Sequence, residues 1–298
     1  MCTMKKKFQM IGFALSVLLV TLPIVTVGAD NAASGKQKKE KTTESALGVK
    51  PVTGSWINLA YKDVRNKYTN PQSFDNMDPK LWEAKVRELS AMGIEYLVLM
   101  EVANEGKSYY PSQIMPWWYN KDKKSPVDAI LDEAAKHKMK IFMSSGWAKD
   151  QDDNLLDPAI KERQLRIMEE LASLYKNHKA FYGWYLPVED CLCPIFAEHA
   201  VQSVNTLSEK AKKLAPGKKT LISPYGIGLS EFDNPEYEKQ MQKLKVDIIA
   251  YQDEVGCVRD QFTLPRLKKN WQRLRDIHNR LNIEMWANCE TFTWEEGT

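Results

Sequence analysis

Two glutamates, Glu189 and Glu290, stand where carboxyl groups commonly do chemistry, at the ends of apolar, strand-forming runs. Glu189 lies near the close of the decapeptide Phe181-Tyr-Gly-Trp-Tyr-Leu-Pro-Val-Glu-Asp190. The aromatic half of that run favours a strand, and Pro187 stops sheet pairing just before the acids. Glu290 ends the run Ile283 to Cys289 in the same manner. Such a pair suits cleavage of a glycosidic bond. One carboxylic acid protonates the leaving oxygen while a second carboxylate attacks, or stabilises, the anomeric carbon. A rim acid can also simply make a salt bridge or cap a helix, so the acids need a scaffold that brings them together.

The spacing of the remaining elements supplies one. Strands are expected over residues 55–61, 94–102, 140–147, 181–189, 220–225, 246–251 and 283–289. Between them lie amphipathic helices. Asp78-Pro79, Ser125-Pro126 and Asp157-Pro158 each place a capping side chain before a proline at the first helical position, and further helices run over 196–214, 235–244 and 264–277. The strands begin roughly 38 residues apart, a period that suits βα units closing into a (β/α)₈ TIM barrel. At that pitch an eighth unit needs about 30 to 40 residues beyond the seventh strand, so the expectation is a barrel truncated after strand seven, lacking its eighth βα unit. An open doubly wound sheet and a natural seven-stranded barrel are the competing architectures.

In a parallel barrel the carboxyl ends of the strands face the ligand. The side chains expected there are Asn58 on the first strand, Glu101 on the second, Trp147 on the third, Glu189 on the fourth, Tyr225 on the fifth, Tyr251 and Gln252 on the sixth, and Asn288 and Glu290 on the seventh. The fourth and seventh strands lie across the mouth from each other. A carboxyl separation of roughly 5 to 5.5 Å, and with it a retaining mechanism, is therefore expected. Trp56, Trp118, Trp147 and Trp294 add flat apolar faces on which sugar rings stack. The loop from Ala103 to Lys124 holds Trp118 within Met-Pro-Trp-Trp-Tyr, and it either binds ligand or packs on its own aromatics. Trp184 and Trp286 lie inside strands and could fill the barrel. All four histidines (His137, His178, His199 and His278) fall on helices or helix ends, which disfavours a Ser-His-Asp hydrolase and a His-ligated metal centre. No cofactor is called for.

The formal charge of +3 belongs to the amino terminus. Residues 1–50 hold eight Lys and three acids, which leaves 34 basic and 36 acidic residues in the rest. A basic face with interleaved aromatics, as nucleic acid requires, is missing. Lys5 to Lys7 precede an apolar run to about Val27, and residues 1–29 read as a signal peptide cleaved after Ala29. Residues 30–50 read as a disordered tether, and residues 51–298 as the barrel domain. The mature protein is thus expected to be exported, periplasmic or extracellular, with no stable membrane span. Cys191, Cys193, Cys257 and Cys289 have neither redox nor zinc spacing and read as free thiols, although an exported protein permits a disulfide.

Three segments together, Gly-Ser-Trp-Ile at 54–57, Phe-Tyr-Gly-Trp-Tyr-Leu-Pro-Val-Glu at 181–189 and Trp-Ala-Asn-Cys-Glu at 286–290, resemble a family of exported bacterial TIM-barrel proteins of unassigned function that is described as glycoside-hydrolase-like. The resemblance spans residues 52–298. More distantly the chain resembles the clan of retaining glycosidases whose acid/base Glu ends strand four and whose nucleophile Glu ends strand seven. That resemblance implies Glu189 as acid/base and Glu290 as nucleophile, acting on a poly- or oligosaccharide. One departure stands out. Most of that clan has Asn directly before the strand-four Glu to bind the sugar 2-hydroxyl, whereas this chain has Val188, so Gln252 or Asn288 would have to supply the contact. A non-catalytic glycan-binding barrel is the alternative.

Overall fold

Prolines set the start of most helices, each behind a polar side chain that binds an otherwise unpaired backbone N–H of the first turn. In the computed structural model, which describes residues 51–59, 78–104, 106–145, 156–189, 192, 194–256 and 263–291, Asp78 caps α1 (Pro79–Ala91) and Ser125 caps α2 (Pro126–Lys136). Asp157 caps α3 (Pro158–Tyr175), Asn234 caps α5 (Pro235–Lys243) and Thr263 caps α6 (Leu264–His278). The exception is α4 (Glu198–Leu214), where Ala197 makes no side-chain cap and Glu198 instead puts negative charge in the first turn.

Seven parallel strands alternate with these helices: β1 (Gly54–Ile57), β2 (Tyr96–Leu99), β5 (Lys140–Ser144), β6 (Phe181–Tyr185), β7 (Lys219–Ile222), β8 (Ile248–Gln252) and β9 (Glu284–Asn288). A two-stranded antiparallel ribbon, β3 (Ala103–Asn104) with β4 (Lys107–Ser108), sits in the loop after β2. The large sheet runs β1-β2-β5-β6-β7-β8-β9, in chain order. Every connection is therefore a strand, helix, parallel strand crossover, as the repeat period implied.

The sheet has two faces with different partners. Ile57, Leu97, Leu99, Ile141, Met143, Phe181, Trp184, Ile222, Ile249 and Tyr251 belong to one apolar cluster together with residues of the helices. Val98, Phe142, Tyr185, Leu221, Ile248 and Ala250, flanked by Trp56, Tyr96, Tyr182 and Trp286, form the other. The second cluster shows that the sheet is rolled. Trp286 of β9 meets Tyr96 of β2 edge-on, with ring centroids 5.1 Å apart, and Phe142 of β5 at 5.8 Å. Strands distant along the sheet thus share one interior. Among the described residues no pairing joins β9 to β1, so the architecture is a parallel α/β half-barrel of seven strands. No eighth βα unit lies among the described residues. Trp286 fills the interior, as one reading of the sequence allowed. Trp184 does not: it is buried on the helix side, edge-on to Phe181 at 5.0 Å.

A register shift explains Trp184. Ile141 pairs with Phe181, yet Phe142 pairs with Gly183, so Tyr182 is an extra residue on β6. Such a bulge reverses the alternation beyond it. Tyr182 faces the interior, and after the bulge Trp184 faces the helices while Tyr185 faces the interior. Glycine is required at the bulge, since a Cβ on residue 183 would lie 2.6 Å from both the Lys219 carbonyl oxygen and the Phe142 ring. The ladder continues one residue past β6, Leu186 N–H donating to Leu221 O at 2.9 Å, and then meets Pro187, which has no N–H to give.

Gly183→Ala is therefore expected to destabilise the fold by about 2–3 kcal/mol, read as a lower urea midpoint with unchanged slope. Adding Phe142→Leu recovers only part of the loss, because the Lys219 carbonyl cannot move without breaking the β6–β7 ladder. Wild-type stability in Gly183→Ala would refute this account of the bulge.

Candidate functional site

The bulge has a direct consequence for Glu189. Because Tyr185 is turned inward, its hydroxyl donates to Glu189 Oε1 at 3.1 Å, one turn of irregular chain beyond β6. Tyr185 is fully buried, with the Trp56 indole close to its hydroxyl. Burial drives the Tyr185 phenol well above its ordinary range, with the negative charges of Glu189 and Glu101 adding to the effect. The phenol therefore stays a proton donor. Glu101, just past β2, is itself completely buried. Trp56, Tyr185, Glu189 and Glu101 thus form one polar group above the aromatic floor of the half-barrel.

Glu189 is held in two different ways at its two oxygens. Oε1 has the tyrosine, whereas Oε2 is buried and has no hydrogen-bond partner among the described residues. Burial without full hydrogen bonding penalises the charged form. It pushes Glu189 up to about 7, the tyrosine hydrogen bond opposing the shift. A carboxyl group that keeps its proton near neutrality is suited to giving that proton away.

Glu290, two residues beyond β9, has a different environment. Its Oε2 accepts the Gly256 N–H at 2.8 Å, and its own N–H donates to Asp253 Oδ1 at 3.0 Å. Beside it, the ends of β7, β8 and β9 are laced together. Gln252 Nε2 donates to Ser223 O at 2.8 Å, Asn288 Nδ2 donates to Ser223 Oγ at 3.1 Å, and that hydroxyl donates to Ala250 O at 2.8 Å. Next along, the Glu254 carboxyl accepts the Gly226 N–H at 2.7 Å. Burial, with Glu290 and Asp253 nearby, raises Glu254 to about 7 against the pull of two backbone N–H groups. Asp253 and Glu254 follow Gln252 at the strand-six end that sequence reading placed at the rim, whereas sequence reading did not select Tyr185. For Tyr185 the available signal was Gly183 within an aromatic strand, a mark of a bulge or a close approach.

The other expected residues divide. Trp56 packs on the interior cluster, Glu101 lies near Tyr185 as Glu189 does, and Gln252 and Asn288 both bond Ser223. Asn58 and Tyr225, both half-buried, follow β1 and β7. Tyr251 is a correction. It faces the helices, fully buried, with its hydroxyl 2.9 Å from His278 Nε2 and 3.2 Å from the Tyr237 hydroxyl, and its ring edge-on to Trp271. Side chains alternate along a strand, so Gln252 facing inward puts Tyr251 outward. Trp118 belongs to its own loop: its indole donates to Asn104 O at 3.0 Å, it stacks on Tyr109, and Lys107 lies over its ring at 4.4 Å. Glu170 of α3 ties the same loop down by accepting from the Tyr110 and Ser112 hydroxyls and from Gln113 N–H. Trp147 and Trp294 lie outside the described residues, as do the expected signal peptide, the tether, and Cys191, Cys193 and Cys257. Cys289 is a free thiol. No helix among the described residues is long and apolar enough to cross a membrane.

A family model described as "Domain of unknown function (DUF4434)" matches residues 52–297. No curated protein matches the sequence. Among solved structures, a Bacteroides thetaiotaomicron protein described as a candidate alpha-L-fucosidase superposes with a TM-score of 0.60 at 18% identity, over 85% of this chain and 79% of that one. A glycoside hydrolase family 5 protein from Bacteroides vulgatus follows at TM-score 0.47 and 12% identity, over 74% of this chain and 46% of the other. The intracellular xylanase TsXylA of Thermoanaerobacterium saccharolyticum gives 0.44 and 14%, over 78% and 70%. The half-barrel is thus similar in fold to TIM-barrel glycoside hydrolases.

The elevated Glu189 pKa makes a stability prediction. Below about pH 4.5 the group is protonated both folded and unfolded; as pH rises to about 7 only the unfolded chain ionises, so folding stability is lost across that window. The loss is on the order of 3 kcal/mol above pH 7. Glu189→Gln keeps the tyrosine acceptor without the charge. Its Tm is expected to match wild type near pH 4 and to exceed it by several degrees at pH 8; equal shifts at both pH values would contradict the burial argument.

Proposed function

We propose that this chain, which belongs to the DUF4434 family, is a glycoside hydrolase working with retention of configuration, Glu189 serving as general acid/base and Glu290 as nucleophile. The observation that carries the reading is the contrast between the two carboxyls. Glu189 sits in a desolvated position that holds its proton, with pKa about 7, on a strand end sharing one interior with β9. Glu290 has a backbone N–H aimed at one carboxylate oxygen, an interaction that favours the ionised form a nucleophile needs.

In the first half of the reaction Glu189 gives its proton to the leaving glycosidic oxygen as Glu290 attacks the anomeric carbon, so the C–O bond to the leaving group breaks while a glycosyl ester forms. In the second half Glu189, now ionised, takes a proton from water, and the resulting hydroxide displaces Glu290. Tyr185 holds Oε1 of Glu189 throughout and leaves Oε2 for proton transfer. Val188 packs against the helix-side core, so a 2-hydroxyl contact falls to Asn288 or Gln252, whose amides flank β8 and β9. The run from Lys5 to Ala29 supports export of the enzyme to the periplasm or beyond.

Glu189→Gln and Glu290→Gln should each lower kcat/KM on a cleaved glycoside by about 10³-fold. With a dinitrophenyl glycoside, whose leaving group needs no proton, Glu189→Gln should retain a much larger share of the rate of the first step. Proton NMR of the first product should show the anomeric configuration of the substrate. Binding of glycans across a broad panel without hydrolysis would instead favour a glycan-binding barrel, and wild-type rates in both variants would end the hydrolytic assignment.

A further inference from the structure

Among the carboxyls at the β8 and β9 ends, Asp253 makes contacts that no generic rim acid needs. Its Oδ1 accepts two backbone N–H groups, from Val255 at 3.2 Å and from Glu290 at 3.0 Å. Its own N–H donates to Asn288 O at 3.0 Å, extending the β8–β9 ladder by one step. The Cys289 thiol lies close to the Asp253 carboxylate, and burial together with that carboxylate raises the thiol above its ordinary range. The Val255 contact tightens the turn that presents Gly256, and the Gly256 N–H is the group that binds Glu290 Oε2. One carboxylate therefore fixes the backbone of Glu290 from one side and, through a two-residue turn, its side chain from the other. The residue is 9% exposed, so these bonds are made largely away from water.

Glu254 completes the arrangement. It has φ of +53°, a left-handed conformation unusual for a residue with a side chain. That backbone lets consecutive acids reach opposite neighbours. Asp253 grips the β9 side, and Glu254 grips the Gly226 N–H on the β7 side at 2.7 Å. Strain of this kind persists only where surrounding contacts over-determine it.

We propose that Asp253 is a positioning residue for Glu290, holding it in a clamp made of its own carboxylate and the Gly256 N–H. The role rests on Glu290 being the nucleophile, but the clamp itself is measurable without turnover. Asn at position 253 keeps an oxygen to accept both N–H groups and removes the charge, whereas Ala removes both.

The test uses the full chain labelled at glutamate carboxyl carbons, with Glu290→Gln assigning the Glu290 resonance. Glu254 and Asp253 are the carboxyls that face Glu290 here, so Glu254→Gln is included as a charge control. In Asp253→Asn the Glu290 titration midpoint should fall by about half a unit to one unit, as a like charge has been removed, while the amides of Val255, Gly256 and Glu290 keep wild-type hydrogen exchange. In Asp253→Ala those amides should exchange at least about tenfold faster, with β5 and β6 amides unchanged. On any glycoside the wild type cleaves, Asp253→Ala should lose about tenfold or more in kcat with KM nearly unchanged, and Asp253→Asn should recover most of it. Unchanged exchange in Asp253→Ala, or an unchanged Glu290 midpoint in Asp253→Asn, overturns the clamp. Turnover abolished by Glu290→Gln yet intact in Asp253→Ala overturns the positioning role alone. Turnover surviving Glu290→Gln overturns the hydrolytic reading and leaves the clamp to the NMR result.

Discussion

The contact between Trp286 of β9 and the rings of Tyr96 and Phe142 on β2 and β5 is what the site depends on. A parallel sheet of seven strands that merely twisted would carry the ends of β6 and β9 far apart. Rolled around an aromatic plug, the same sheet turns the inner sides of both strands toward one space. The plug is closely fitted: Tyr182 meets Phe142 and Tyr96 edge-on, and the Lys140 ammonium lies 4.6 Å from the Tyr96 ring centre. Aromatic pairs of this geometry contribute on the order of 1 kcal/mol each beyond the area they bury. They also make the floor rigid, which matters because the polar groups above it act through distances of about 3 Å.

Environment, more than residue type, separates the two glutamates. Glu189 stands above apolar rings with one oxygen bonded and the other enclosed, a setting in which desolvation outweighs the single hydrogen bond. Glu290 sits where backbone N–H groups converge from the turn after β8. The same side chain is thereby pushed toward the neutral form at one place and met by a backbone N–H at the other, the contrast from which the proposed acid and nucleophile assignment is argued. Tyr185 links floor to site. The bulge at Tyr182 puts a phenol inside, and the phenol chooses which Glu189 oxygen is fixed.

Much of the scaffold was legible in the sequence because it is built from local signals. Asp78-Pro79, Ser125-Pro126 and Asp157-Pro158 each start a helix where expected, since a cap and a proline act within one turn. The order of the strands was legible too, and so was the stop at Pro187. Several expected strands nevertheless run three or four residues past the observed ends, because a polar strand end and the loop after it share the same residue types. What was not legible depends on the parity of side chains, and parity is non-local. Tyr251 and Gln252 were both placed in the site, although neighbours on one strand cannot share a face; strand periodicity alone allowed that error to be seen. Trp184 was harder, because an unbroken strand would put it opposite Tyr185 in either case, and only the pairing partner Phe142 reveals the extra residue. The second loop posed a similar problem. Its aromatics look like a ligand surface in sequence, but Glu170 on a distant helix accounts for the fold of the loop.

Val188 and the lacing around Ser223 point to one further constraint. With Val188 turned to the helix-side core, the end of β6 offers the site a carboxyl and little else. The amide groups instead gather on β8 and β9, where Gln252 and Asn288 are each fixed by a donor bond to Ser223. Each of those bonds uses one of the two N–H groups of its amide, so each amide keeps one donor and its carbonyl oxygen. Ser223 is thus the residue that sets the orientation of both amides, since its carbonyl oxygen holds Gln252 and its hydroxyl holds Asn288.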